Sequence, residues 1–372
     1  MLIRRWIAVF ILILLAAAPY VGKTQNQFLN WDDNRFIVQR ESIQSLTNIP
    51  GHFLTGQDGL YRPLRATLYT AVWQIFKNDS IGYQFLGILL HVCCTLAFFF
   101  VVKILSKNPL VALLAGSVFA VHPIHVEHVA WVTASFDILG IGLLLFALGF
   151  YQQSKETPSH WRTGLWAFFA LASMFSSEFG LLFLPYVCCF EFLEHIKNKK
   201  WPTQKTGINA GLIIIVTLVY LGCRLAVMGH VGRGVERPAE GFWYNLLTVS
   251  SVHFETLKTI VLHWKLTHFH TIPIAGQNEI AHGLFSLGLN TLLIVIAFAL
   301  IRKATLVSLG IFWFYIALIP FSQIAPNTPT MQERYAYLAL GGFAIVAASI
   351  GFGLMKNTQN MRPVFWPFGL FG

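Results

Sequence analysis

Charge is what this 372-residue sequence has least of: Asp, Glu, Lys and Arg make up 11%, against roughly 25% in soluble domains. With 55% apolar residues, that shortage excludes both an ordinary soluble domain and a disordered chain. Cysteine is scarce. Cys93, Cys94, Cys188 and Cys189 form two adjacent pairs and Cys223 stands apart. All five lie in apolar runs, and neighbours on a helix point about 100° apart, so no disulfide framework is expected. The sequence also has no phosphate loop, no G-x-G-x-x-G, no G-x-S-x-G, no H-E-x-x-H and no ladder of gating charges. The net charge of +10 is scattered between apolar runs rather than gathered on one face, which argues against nucleic acid as a partner.

What is present is a series of long apolar runs. Ten spans of about 20 residues need about 200 apolar residues, close to what the composition supplies. The runs fall at 6–22, 82–105, 108–123, 128–151, 161–176, 178–194, 207–228, 281–301, 304–321 and 334–354. Arg4, Arg5 and Ala16-Ala17-Ala18 around the first run also fit a signal peptide; a retained anchor is the expectation. Two polar loops, 23–80 and 229–280, interrupt the series. In the first, a short helix is predicted over Ile43–Phe53. Leu64, Leu68, Ala71, Val72, Ile75 and Phe76 then repeat at helical spacing, predicting an amphipathic helix on the membrane surface. The expected architecture is an all-α polytopic membrane protein with about ten helices and two long outer loops carrying amphipathic helices. Residues 1–355 form one membrane domain and 356–372 a short cytoplasmic tail without repeats.

The basic residues orient this scheme. Placing the N-terminus inside puts 14 of the 26 Lys and Arg on inner segments, while the short outer turns carry only Arg334. Long loops are largely exempt from the positive-inside rule, so both ends are predicted inside and both long loops outside. Asp32, Asp33, Glu127, Glu178 and Glu333 then share the outer face. Carboxylates at the tips of apolar helices point to a polar cavity opening outward.

Asp32-Asp33, behind Trp31 just after the first span, is the strongest local candidate for acid–base chemistry. Two adjacent carboxylates repel, which favours a proton acceptor; a helix cap or solvated turn is the plainer reading. His122-Pro123-Ile124-His125-Val126-Glu127-His128 offers three imidazoles and a carboxylate, yet its spacing is one residue short of H-x-x-E-H. It is read as a polar cavity lining, with no metal cofactor; the plainer reading is an interfacial turn whose histidines hydrogen-bond backbone at helix ends. Asp137, about two and a half turns into its predicted helix, needs a partner. Glu178 is expected at a hairpin tip, and Arg224 near the outer end of its helix. Glu333-Arg334 opens the last helix. Arg62, Arg65, Arg224 and Arg334 are the guanidinium groups available for a phosphate. His263–His270 reads as an interfacial anchor belt, and Asn78-Asp79-Ser80 as a glycosylation sequon, meaningful only if the outside is an ER lumen.

As an ordered set, Trp31-Asp32-Asp33, Tyr61-Arg62-Pro63-Leu64, His122-Pro123-x-His125-x-Glu127 with Asp137-Ile138-Leu139, Ser177-Glu178-x-Gly180 and Glu333-Arg334-Tyr335-x-Tyr337-Leu338 resemble a known family. It is the membrane half of the transmembrane and tetratricopeptide-repeat O-mannosyltransferases and their bacterial relatives, in the C-type membrane glycosyltransferase superfamily. The resemblance spans about residues 28–345. It implies an inverting transferase that moves mannose or another hexose from a polyprenyl-phosphate to a hydroxyl of a protein or glycan, at the outer or lumenal face. It further implies that Asp32-Asp33 supply the base. The donor and its phosphate would then be met by Arg62, Arg65, His122, His125, Glu127, Asp137, Glu178, Arg224 and Arg334. The setting would be a bacterial inner membrane, or an ER membrane if the source is eukaryotic. The family's Arg-x-Asp-Leu-Leu is Ser135-Phe136-Asp137-Ile138-Leu139 here, its Lys-Glu is Ser177-Glu178, and no tetratricopeptide repeats follow the last span. Two other classes remain open: a flippase or transporter of lipid-linked glycans, and a non-catalytic scaffold on the transferase fold. A flippase should carry charges near the bilayer middle and internal repeats, which are not evident.

Overall fold

The computed structural model describes residues 2–25, 27–57, 59–199, 204–230, 241–262, 266–267, 270, 272, 274, 279–322 and 331–360. These residues form helices and turns, and no strand is found among them. In chain order the helices are α1 (Leu2–Ala17), α2 (Ile49–Leu54), α3 (Pro63–Phe76), α4 (Ser80–Ser106), α5 (Pro109–Val121), α6 (Val126–Ala130), α7 (Val132–Ser135), α8 (Asp137–Glu156), α9 (His160–Ser176), α10 (Phe183–Asn198), α11 (Gln204–Met228), α12 (Phe242–Leu262), α13 (Ile280–Leu300), α14 (Thr305–Leu318) and α15 (Ala336–Asn360). Most of the tail, 361–372, and much of the anchor belt, including His263, Trp264, Lys265 and His268, lie outside the described residues.

Local sequence explains the boundaries. Asp79 caps α4 by accepting from the Ile81 amide, and Asn108 caps α5 by accepting from Leu110 and Val111. Pro109 sits at the start of α5, where its missing amide costs nothing. Pro50 likewise starts α2, so the first-loop helix expected from Ile43 begins at Ile49 instead. The expected 128–151 helix is also corrected: it is broken at Trp131, whose backbone is extended. Asp137 therefore opens α8 rather than lying inside a helix.

Six described helices are long and apolar enough to cross a membrane: Ser80–Ser106, Val132–Glu156, Glu178–Asn198, Gly207–Met228, Ile280–Leu300 and Glu333–Asn357. A seventh candidate is the pair Pro109–Val121 and Pro123–Ala130, bent by 52°. Trp6–Gly22 and Thr305–Phe321 are shorter apolar helices. At 17 residues, α9 is about 25 Å long, less than the roughly 30 Å hydrocarbon core.

The long helices pack around α4, which touches α1, α3, α5 and α8. On the other side α15 packs on α5, α12 and α14. The last two helices approach closely through small residues, since a Cβ on Gly310 would sit 2.6 Å from the Gly342 carbonyl oxygen. Gly140 plays the same part nearer the polar residues: a Cβ there would sit 2.6 Å from Ser177 Cβ at the α9 tip. All five cysteines are free, as expected.

In α3, Arg65, Ala66, Tyr69, Val72 and Trp73 face the protein. Ala71, Ile75 and Phe76 are exposed. The predicted apolar stripe is thus split, with Val72 turned inward and most of the rest turned outward.

Candidate active site

One short segment, the irregular stretch from Trp131 to Asp137, gathers most of the candidate residues. Trp131, Thr133, Phe136 and Asp137 each reach a distant part of the chain.

Thr133 is its centre. Its amide donates to Asp33 Oδ1 at 2.8 Å, and its hydroxyl donates to the same oxygen. Asp33 Oδ2 accepts from the Leu29 amide at 3.0 Å. Asp33 is completely buried, and with three donors on its carboxylate it is a fastener between the first loop and the α7 region. Asp32 is half-buried and makes no hydrogen bond or ion pair among the described residues. Of the two, Asp32 is the carboxylate left free of protein donors among the described residues, and a proton acceptor must reach its substrate.

The Thr133 carbonyl accepts from Arg65 Nη2 at 2.8 Å. Arg65 also donates to Tyr69 Oη at 3.1 Å and to Asp137 Oδ1 at 2.7 Å. Arg62 donates to the same Asp137 oxygen at 2.8 Å, and through Nε to Glu178 Oε2 at 2.8 Å; its Nη2 reaches Glu178 Oε2 as well. Arg224 lies 3.9 Å from Glu178 Oε1 and 3.4 Å from both Tyr220 Oη and the Gly59 carbonyl. Three guanidinium groups therefore face two carboxylates. Burial alone would lower the Arg62 pKa, but Asp137 and Glu178 outweigh it and hold the group above its ordinary value. The cations around Asp137 and Glu178 come from α3, the residue before it and α11. The space beside Arg62 and Arg65 is small, about 30 Å³, and is lined also by His52 and Gln57; that is room for about one water.

Trp131 forms the third connection. Trp31 packs edge-on against it with centroids 5.7 Å apart, and Trp31 is 53% exposed. The Arg334 guanidinium lies 4.8 Å from the Trp131 ring centroid and 5.6 Å from that of Tyr335. Glu333 does not hold Arg334. It is buried and accepts from the Thr267 amide and from His270 Nε2, the latter at 3.2 Å. No carboxylate pairs with the Arg334 guanidinium among the described residues. Its backbone amide donates to Glu127 Oε2 at 3.0 Å, so Glu127 straps the last helix to α6.

The histidines require a correction. They were expected to line an open cavity; they are packed in the core. His122 accepts from the Ile124 amide at Nδ1 and bonds the Ile260 carbonyl through Nε2 at 3.0 Å. His125 bonds the Tyr337 carbonyl at 3.3 Å and stacks on the Tyr337 ring, with centroids 4.0 Å apart. At the bend after α5 the His122 ring thus takes up the Ile124 amide, which the short turn leaves without a helical partner, while the other imidazole bonds reach α12 and the start of α15. His128 is buried against Tyr337, and neither of its ring nitrogens has a hydrogen-bond partner. No group of three His, Cys, Asp or Glu is arranged to hold a metal ion among the described residues.

Sequence reasoning missed Thr133 and Tyr69. Neither carries a motif signal: Thr133 reads as one more residue of an apolar helix, and Tyr69 as part of an amphipathic stripe.

No family model matches the chain. Among curated proteins it is similar to protein O-mannosyl-transferase TMTC4 of Mus musculus, 25% identical across 95% of this chain and 56% of the relative. A protein O-mannosyl-transferase of Caenorhabditis elegans is 27% identical across 50% of this chain and 28% of the relative. For protein O-mannosyl-transferase TMTC2 of Homo sapiens the figures are 27%, 58% and 29%. The chain thus spans between 28% and 56% of the length of these relatives. Together with the six apolar helices, these similarities make it an integral, multi-pass membrane protein. Its resemblance is to the transmembrane and tetratricopeptide-repeat O-mannosyltransferases, in the membrane half.

Proposed function

We propose that the chain is an inverting glycosyltransferase. It would take mannose or another hexose from a polyprenyl-phosphate donor and pass it to a hydroxyl of a protein or glycan, on the outer or lumenal face of a bacterial inner membrane or an ER membrane. The observation that carries this reading is the Trp131–Asp137 segment. It joins an accessible carboxylate, Asp32, to an unneutralised guanidinium, Arg334, through the Trp31–Trp131 contact, while Asp33 and Arg65 anchor the same segment through Thr133.

In the reaction, Asp32 takes the proton of the acceptor hydroxyl. The hydroxyl oxygen bonds to the anomeric carbon as the bond from that carbon to the phosphate oxygen breaks. Polyprenyl phosphate leaves and the centre inverts. Arg334 faces the phosphate, whose charge grows as the bond breaks, and a fixed cation there lowers the barrier more than it aids ground-state binding. Arg62, Arg65 and Arg224 are engaged by Asp137 and Glu178 and hold α3 against α8 and the α9 tip. The scheme needs no metal cofactor. Ten spans, with both ends inside and both long loops outside, complete the proposal; α1, α9 and α14 would each have to cross despite their length.

The neutralised state of Arg62 and Arg65 favours one other reading, a non-catalytic scaffold on the transferase fold. Turnover of a polyprenyl-phosphate mannose by the purified protein separates the two. Asp32→Asn is expected to lower turnover by about 10²–10⁴-fold while leaving stability within about 0.5 kcal/mol. Arg334→Ala is expected to weaken donor binding by about 10- to 150-fold, the loss of one charge-assisted contact. Full turnover by Asp32→Asn would remove the catalytic assignment. Labelling of single cysteines at Gln57 and Lys199 tests the sidedness: reaction at Lys199 but not Gln57 from outside would overturn it.

A further inference from the structure

A cavity much larger than the space at the Arg–carboxylate cluster is found away from it. It lies at the other end of the bundle. Asp137 and Lys155 are both on α8, and their 18-residue separation puts them about 27 Å apart along the axis. The cavity, about 900 Å³, opens among the ends of α4, α8 and α10, the turn from α13 to α14, and α15. Its volume is at the upper end for small-molecule sites.

Its walls are of two kinds. Phe190, Leu193 and Leu309 supply apolar surface and are each buried to 4% exposure. The polar part has five basic residues, Lys107, Lys155, Lys197, Arg302 and Lys303, against three glutamates. Lys155 is held between Glu191 and Glu194, at 2.5 and 2.6 Å, and Lys107 meets Glu156 at 3.4 Å. Those pairs consume every glutamate of the lining. Lys197, Arg302 and Lys303 are left with no ion pair among the described residues. They sit at helix ends, Lys197 in the last turn of α10 and Arg302 and Lys303 just after α13.

We propose that this cavity binds the headgroup of an anionic phospholipid from the leaflet at that end. Apolar walls below a cationic rim fit an amphiphile whose charge is a phosphate diester. A basic pocket between spanning helices is where such headgroups are attracted. A soluble anion would gain nothing from Phe190, Leu193 and Leu309. A zwitterionic headgroup would set its own cation against the three unpaired ones. On the proposed sidedness this is the cytoplasmic leaflet, but the site itself depends only on the cavity and its charges, not on the catalytic reading.

Native mass spectrometry of the purified full chain, with phosphatidylglycerol, phosphatidylcholine or inorganic phosphate added, tests the proposal. Phosphatidylglycerol is expected to be retained well above phosphatidylcholine, with inorganic phosphate failing to displace it. The variant Lys197→Ala, Arg302→Ala, Lys303→Ala should lose that preference, by about fivefold per cation removed. Leu306→Trp, which narrows the apolar lining without changing charge, should lose retention as well. Equal retention of both lipids by the unaltered chain, or unchanged preference in the triple variant, overturns the proposal. So does displacement by inorganic phosphate, which would mark a site for soluble anions. If the triple variant loses the preference while Leu306→Trp keeps full retention, surface attraction alone is at work and the cavity is not the site. Matching melting temperatures confirm that each variant is folded; the three charge changes are at solvent-accessible positions.

Discussion

The two ends of the bundle hold similar numbers of charges and use them in opposite ways. At the Asp137 end, Arg62 and Arg65 are saturated by Asp137, Glu178, Tyr69 and a backbone carbonyl, and the adjoining space is about 30 Å³. At the Lys155 end, the space is about 900 Å³ and three cations keep their charge free of carboxylates. The first arrangement spends electrostatics on rigidity, the second leaves it available. A count of arginines near a predicted site therefore says little about phosphate binding until the partners of each are known.

The largest expected effect on stability comes from breaking the closed end. Arg62→Ala removes the close partner of Glu178, leaving Arg224 at 3.9 Å, and leaves Asp137 with Arg65. Breaking a buried pair costs about 3–5 kcal/mol, and with side chains 13% and 20% exposed the low end, about 3 kcal/mol, is expected in chemical or thermal melts. Adding Glu178→Gln to that variant should recover part of the loss; no recovery would mean the cluster does not act as a unit. Asp33→Asn comes next. The amide replaces a carboxylate oxygen facing the Leu29 or Thr133 donors, for a loss of about 1.5–3 kcal/mol. Stability unchanged in Asp33→Asn would refute its role as fastener and return it to candidacy as the base.

At the open end, Lys155→Ala is expected to cost only about 1 kcal/mol, since Glu194 is 48% exposed and Glu191 keeps its hydrogen bond from Tyr151 Oη. A loss equal to that of Arg62→Ala would erase the contrast between the ends. The smallest effect is pH-dependent. His52 bonds Thr70 Oγ1 at 2.8 Å, and burial, then the nearby Arg40, lower its pKa below the ordinary 6.5. The folded protein thus holds His52 neutral more strongly than the unfolded chain does. Its contribution is complete above pH 6.5 and is lost as pH falls below that value toward the folded pKa. His52→Gln should show a flatter dependence of melting temperature across that acidic window than the unaltered protein; an identical slope would exclude His52.

The helical architecture was legible because its signal, long apolar runs, is local and repeated. The order of the polar motifs was legible too: Trp31, Arg62, Glu127, Asp137, Glu178 and Arg334 are all tied to the same region. What sequence could not supply was the division of labour. Asp32 and Asp33 are chemically equal on the page, and only the approach of Thr133 from 100 residues away distinguishes them. The break at Trp131 was hidden because Val129 to Ser135 is apolar enough to read as uninterrupted helix. The imidazoles were legible only as alternatives: the Ile260 and Tyr337 carbonyls that His122 and His125 serve come from distant parts of the chain, so sequence could not choose between a histidine bonded to backbone and one that lines a cavity.

The helix α3 is gripped on one side and exposed on the other. Its inner face carries Arg65 and Tyr69 into the Thr133 segment, while Ile75, 74% exposed, and Phe76 face outward. Asp137 stands at the head of α8. The Arg62 and Arg65 pairs to Asp137 therefore make α3 and α8 move together: a displacement of α3 is passed to α8 through two guanidinium groups rather than absorbed by the chain between them.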